Sequence, residues 1–142
     1  MYKRILVPTD GSEPSRRALT TAIALARQDS ARVRLLNVFD PMVCLTGYEV
    51  SASVIEDARR SAERLLQDER RAVDEAGVPC EVQCCDAIGT RLGQAVADDA
   101  TKWDADLVVI GSHGRHGLGR LLLGSGAEEI LRLAPVPTLL VR

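Results

Sequence analysis

The chain has 142 residues, 46% of them hydrophobic, enough for one compact domain (1–142) around a sizeable core. Only 3% are aromatic, so the core must be packed from Ala, Val, Leu and Ile, which suits a buried sheet flanked by helices and disfavours all-β folds. The 18 basic residues nearly balance 20 acidic ones, for a formal charge of -2, so there is no broad electrostatic footprint for nucleic acid and any anion site must be local.

Residues 3 to 8 (KRILVP) form a short apolar run closed by the turn-prone Thr9, Asp10 and Gly11, the first expected strand. This run is too brief for a signal peptide or a membrane span, and no later run is longer, so a cytoplasmic chain without a membrane partner is expected. Ser12 can cap the helix that follows, Pro14 is tolerated in its first turn, and Ala18, Leu19, Ala22, Ile23 and Ala26 recur at helical spacing to about Gln28. A second strand is expected at 32 to 38. Residues 40 to 52, with Pro41 and Gly47, show no period and read as a loop.

Ser53 and Glu56 form a capping-box pattern ahead of an apolar stripe of Ile55, Ala58, Ala62, Leu65, Ala72, Val73 and Ala76, which Gly77 and Pro79 stop. Arg59, Arg60, Arg64, Arg70 and Arg71 alternate with acids on this helix, as on a solvated face. Cys80 to Cys84 reads as a third strand whose polar alternation suits a sheet edge. The four cysteines, Cys44, Cys80, Cys84 and Cys85, lack a C-x-x-C spacing and read as structural thiols. An oxidant-sensing role for the adjacent pair Cys84 and Cys85 would need exposure and a lowered pKa.

Leu92, Val96, Ala100 and Trp103 mark a third helix, and Asp106 to Ile110, the most apolar strand, belongs in the sheet centre. Ser125 with Glu128 is a second capping box, opening a short helix that Pro135 ends. Thr138 to Arg142 is a final strand with little after it to cover its edge. The order βαβαβαβαβ implies an open parallel sheet with helices on both faces. In such sheets ligands bind beyond the strands' carboxyl ends, where the winding reverses.

Six of the 11 glycines, Gly111, Gly114, Gly117, Gly119, Gly124 and Gly126, crowd between Ile110 and the last helix. Glycines let backbone amides close on an anion, and Ser125 opens a helix whose N-terminus and hydroxyl also suit phosphate. From Leu107 to Ala127 there is no acid, while His113, Arg115, His116 and Arg120 supply positive or titratable groups. Three or four amides at roughly 1.5 to 3 kcal/mol each could support a micromolar nucleotide, about -8 kcal/mol, after the costs of association. The alternative is a turn that merely reverses the chain. A P-loop fails because Ser125 stands where Lys should follow Gly119-x-x-x-x-Gly124, and the dinucleotide fingerprint fails at Leu122.

Gly111-x-x-Gly114, nine residues, then Gly124-Ser125 resembles the ATP-binding signature of universal stress proteins, and GSHGRHGLGRLLLGSGAEEILRLAPVPTLLVR resembles their carboxyl-terminal block. KRILVPTDGS resembles the family's first strand and aspartate turn, so the likeness spans the chain. It implies a Rossmann-like α/β fold, adenine nucleotide alpha hydrolase-like, with a five-stranded sheet in the order 3-2-1-4-5. It places Asp10 and Val38 near adenine and ribose, with Pro8 and Thr9 beside them. Gly111 and Gly114 fall near the ribose and α-phosphate with His113 and Arg115, and Gly124, Ser125 and Gly126 at the outer phosphates. ATP is the implied ligand, with Mg2+ where the phosphates are bridged. Many relatives carry a glycine where this chain has Cys84, Cys85 and Asp86, so the pocket wall departs there.

Asp10 could hold a ribose or a magnesium ion, or simply close a turn through its side chain. His113 and His116 make a poor zinc site without further ligands. Ser125 could accept a phosphoryl group, but no base for it is identifiable. Three functions compete: a binding module switched by ATP, with at most slow hydrolysis; a slow ATPase or self-kinase; and a nucleotide-free interaction dimer. A homodimer through the last strand (Val136, Thr138, Leu139, Leu140, Val141) is expected from its apolar edge and the family's habit of association.

Overall fold

The computed structural model describes residues 1–40, 52–112 and 123–142. Strands and helices alternate along them: β1 (Arg4–Pro8), α1 (Glu13–Asp29), β2 (Arg32–Phe39), α2 (Ala52–Glu75), β3 (Cys80–Asp86), α3 (Leu92–Trp103), β4 (Leu107–Gly111), α4 (Ser125–Leu133) and β5 (Thr138–Val141). The strands form one parallel sheet in the order β3-β2-β1-β4-β5. The chain winds outward from β1 to β3 and then returns to β4, which with right-handed crossovers puts α1 and α2 on one face and α3 and α4 on the other. Ile5, Val7, Val33 and Leu35 accordingly pack with α1 and α2, while Leu6, Leu36, Val108 and Ile110 pack with α3 and α4. Ile5, Leu6 and Val7 are fully buried. This is why β1, the middle strand, reads as an unbroken apolar run, each side chain contributing about 1.5 to 3 kcal/mol by burial. β4 lies one strand from the middle rather than at the centre.

Local signals set most boundaries. Ser12 caps α1, its hydroxyl accepting the Ser15 N–H at 3.4 Å, with Pro14 in the first turn. Gly77, at φ +74°, follows α2 in the left-handed region. Ala134, ahead of Pro135, leaves the helical region (φ -59°, ψ 129°) and closes α4. β3 is the edge strand its polar alternation implied, but it runs two residues beyond Cys84, because Cys85 and Asp86 continue the ladder opposite Val38 and Phe39.

The capping boxes and the α2 stripe need correction. α2 begins at Ala52, so Ser53 lies inside its first turn. The cap of α4 is Gly124, which offers no side chain, and Ser125 is the first helical residue. On α2 the buried line is Ala62, Leu66, Glu69 and Val73, with Ala72 exposed. An acid therefore occupies a core position. The arginines of α2 do lie on a charged outer face, with pairs such as Arg60 to Glu56 at 3.5 Å and Arg70 to Asp74 at 3.4 Å.

Two features fix the second layer. At Gly93 a Cβ would fall 2.8 Å from the Glu129 backbone, and the Gly93 N–H donates to Glu129 Oε2 at 3.0 Å. α3 and α4 thus touch backbone to backbone, with an α4 carboxylate capping α3. Near the β3 edge, Arg34 Nε lies 3.2 Å from Asp99 Oδ2, both side chains less than a fifth exposed, and its guanidinium stacks 5.6 Å from the Trp103 ring centre. Trp103 Nε1 donates to Glu81 Oε1 at 3.2 Å. Burial raises the Asp99 pKa against the pull of Arg34.

Candidate functional site at the strand exits

The reversal of winding falls between β1 and β4. Their ladder consists of Ile5 opposite Leu107 and Leu6 opposite Val108, so it ends short of both exits. Pro8, which has no N–H to donate, stands at the end of β1. Thr9, Asp10 and Gly11 turn the chain into α1 on one side of the opening. Gly111 and Ser112 leave β4 on the other.

The β1 turn is held by a connected set of bonds. Asp10 Oδ1 accepts the Ser12 N–H at 2.9 Å, closing a side-chain turn, and Gly11 sits at φ +78°. The Thr9 N–H donates to Leu36 O at 2.9 Å and its carbonyl accepts from Asn37 Nδ2 at 2.9 Å. Its hydroxyl donates to Glu69 Oε1 at 2.9 Å, with Ser15 Oγ 3.3 Å away. Thr9, Ser15, Asn37 and Glu69 are all buried.

Across the opening, the Ser112 N–H donates to Val141 O at 2.9 Å and its carbonyl accepts the Gly124 N–H at 3.0 Å. Gly124 is thereby tied to the β4 exit, and α4 starts there. The cap residue, Gly124, has no side chain with which to cap α4. The N–H groups of its first turn have no partners within the helix, and Ser125 is exposed at the first position. This donor set fits an anion.

Pro8, Asp10, Gly111, Gly124 and Ser125 gather around the exits of β1 and β4, and Val38 lies half-buried at the adjacent end of β2. His113, Gly114 and Arg115 lie outside the described residues, as do Cys44 and Tyr48. Two of the glycines have packing reasons of their own. A Cβ on Gly111 would fall 2.5 Å from the Pro14 backbone, and one on Gly126 would fall 2.8 Å from Leu92 Cδ2. Cys80, Cys84 and Cys85 are free, and burial pushes the Cys80 thiol up to about 11 and raises the other two. These are protonated thiols, poor in the reactivity a sensor needs. Sequence reasoning missed Asn37 and Glu69. The signal for Glu69 was its place three and four residues from Leu66 and Val73 on one helical line.

The open α/β sheet, with its winding reversal between β1 and β4, has counterparts among known proteins. Residues 1–142 match the model of the universal stress protein family. A universal stress protein of Methanocaldococcus jannaschii is 32% identical over 100% of this chain and 83% of its own length. Among solved structures, the universal stress protein UspA from Lactobacillus plantarum superposes with a TM-score of 0.82 at 23% identity, covering 99% of this chain and 98% of its own. The universal stress protein from Archaeoglobus fulgidus in complex with dAMP does so at 0.72 and 22% identity, covering 99% and 98%. The chain belongs to the universal stress protein family.

Proposed function

We propose that this protein binds an adenine nucleotide, ATP with Mg2+ foremost, at the exits of β1 and β4, and acts as a cytoplasmic switch whose occupancy alters its protein contacts. The observation that carries this reading is the N-terminus of α4, capped by a glycine with no side chain and tied through Gly124 to Ser112 at the β4 exit. N–H groups with no partner within the helix and the positive dipole end favour phosphate there. Gly124 and Ser125 take the outer phosphates. Gly111 and Gly114, with His113 and Arg115, lie along the ribose and α-phosphate. Pro8, Thr9, Asp10 and Val38 frame the base and sugar. The dAMP held by the Archaeoglobus relative accords with the adenine class.

Native mass spectrometry with Mg-ATP is expected to show one nucleotide per chain. A chain that stays empty at millimolar ATP overturns the reading. Gly124 has φ -61° and ψ 146°, which any residue can adopt, so Gly124→Val tests space rather than backbone strain. It is expected to weaken Mg-ATP at least about 100-fold, or roughly 2.7 kcal/mol, while leaving the melting temperature nearly unchanged. Wild-type affinity in this variant would remove the phosphates from Gly124.

We further propose that the switch is a homodimer paired through β5. β5 is an edge strand with Leu139 38% exposed, and Val136, Thr138, Leu140 and Val141 lie along the same edge. Sedimentation velocity is expected to show a dimer at micromolar concentration and a monomer for Leu139→Asp, a charge on the edge opposing strand addition. A wild-type monomer at all concentrations overturns the pairing.

A further inference from the structure

Glu69 is the one acid among the buried residues described, 7% exposed, between Leu66 and Val73 on the line where α2 meets the core. A leucine would satisfy that position. The carboxylate instead carries a buried Oε2 with no hydrogen-bond partner, a costly arrangement. Its other oxygen, Oε1, accepts from Thr9 Oγ1 at 2.9 Å. That hydroxyl in turn accepts the Gly11 N–H at 3.4 Å. Glu69 therefore reaches from α2 to the turn that presents Asp10 at the strand exits.

We infer that Glu69 is a positioning residue, holding Thr9 so that the Asp10 turn keeps the shape that receives the nucleotide. The inference rests on the proposal that this cleft binds an adenine nucleotide. Among the described residues, the groups around Glu69 are few. The exit turn contributes Asp10, and α1 contributes Ser15 and Arg16. The β2 residues on this side are Val33, Leu35 and Asn37, and β3 presents Cys80, Val82 and Cys84. Burial raises the Glu69 pKa, opposed by the Thr9 hydroxyl and Arg16 and reinforced by Asp10. Above the folded-state value Glu69 is ionised and grips the hydroxyl strongly. As pH falls through that value the grip weakens, and nucleotide affinity falls with it.

The test pairs Glu69→Leu with Glu69→Gln. Glu69→Leu is expected to keep the fold and weaken Mg-ATP about tenfold by calorimetry. Glu69→Gln, which retains an acceptor oxygen for Thr9, is expected to recover most of that affinity and to lack the acid-side weakening of the wild type. Thr9→Val should lose as much as Glu69→Leu, and the double variant no more than either, since both act through one bond. Should Glu69→Leu fail to fold, Thr9→Val, with a methyl in place of the hydroxyl, carries the test. Amide hydrogen exchange at Gly11 and Ser12, measured without nucleotide, is expected to quicken in Glu69→Leu and return toward wild type in Glu69→Gln. Unchanged exchange overturns the positioning role whether or not ATP binds. Wild-type affinity with quickened exchange overturns its bearing on the nucleotide. If the wild type binds no nucleotide, the proposed function fails and the exchange result alone decides the role of Glu69.

Discussion

Gly111→Ala is expected to destabilise the protein by about 3 kcal/mol, the upper part of the usual range for overpacking, lowering the melting temperature by roughly 10 °C. Gly111 ends β4 directly beneath the first turn of α1. A methyl group there would stand 2.5 Å from the carbonyl carbon and oxygen of Pro14 and 2.8 Å from its Cβ. No flexible side-chain tip can swing aside, so strand or helix must shift. The backbone at Gly111 is not in the left-handed region, so the effect is one of space alone. Gly77→Ala is the natural comparison. Gly77 has φ +74° with nothing within 4 Å of an added Cβ, so it should lose only the roughly 1 to 2 kcal/mol of left-handed strain. Thermal unfolding followed by circular dichroism separates the two. An unshifted Gly111→Ala melt would mean that α1 stands further from β4 than described. Lost nucleotide binding in Gly111→Ala would not by itself place a ligand against this residue, because the cleft deforms with the packing.

Arg34→Ala is expected to cost about 3 kcal/mol at neutral pH, the scale for stripping the partner from a buried charge. Asp99 stays behind, its side chain 13% exposed, with neither the guanidinium 3.2 Å away nor a hydrogen bond to Oδ2. The stack on Trp103 goes as well. The sign of the pH dependence follows from Asp99. Its pKa is already raised in the folded protein by burial, with Arg34 pulling it down, so removing Arg34 raises it further. An ionised Asp99 therefore weighs on the folded state above the unfolded value of 3.8, and more so in the variant. The gap between the two melting temperatures should narrow as pH falls toward 4 and reach its full width once Asp99 is ionised in the variant. A gap that is constant with pH would show that Asp99 does not carry the cost and that Arg34 acts through its other contacts, the Trp103 stack and the side chains of Gln83 and Glu81.

The alternation of elements was legible because each rests on local chemistry. Ile5 to Val7 is apolar on both faces, Ser12 and Pro14 open α1, and Pro135 closes α4. The strand order rested on likeness to a family, and parallel pairing in the sheet bears it out. Tertiary contacts decided what the sequence left open. Cys85 and Asp86 are strand only because Val38 and Phe39 lie opposite them. Ser125 matches a capping pattern, but the turn that would make it a cap falls one residue earlier, at Gly124. Glycine density pointed to the exit of β4 without separating its causes, since Gly111 and Gly126 are also required by neighbouring helices. Glu69 looked like one more acid on a charged helix. Its burial became visible only when α2 was laid on the sheet.

The contact of α3 with α4 has a mechanical consequence. With Gly93 seated against the Glu129 backbone and its N–H held by the Glu129 carboxylate, the two helices are keyed like meshed teeth. Close-packed contacts of this kind do not slide by fractions of an ångström without clash. A displacement of α4 is therefore expected to be felt first at Gly93, at the start of α3. The second layer is in this sense one unit of two interlocked helices rather than two independent rods.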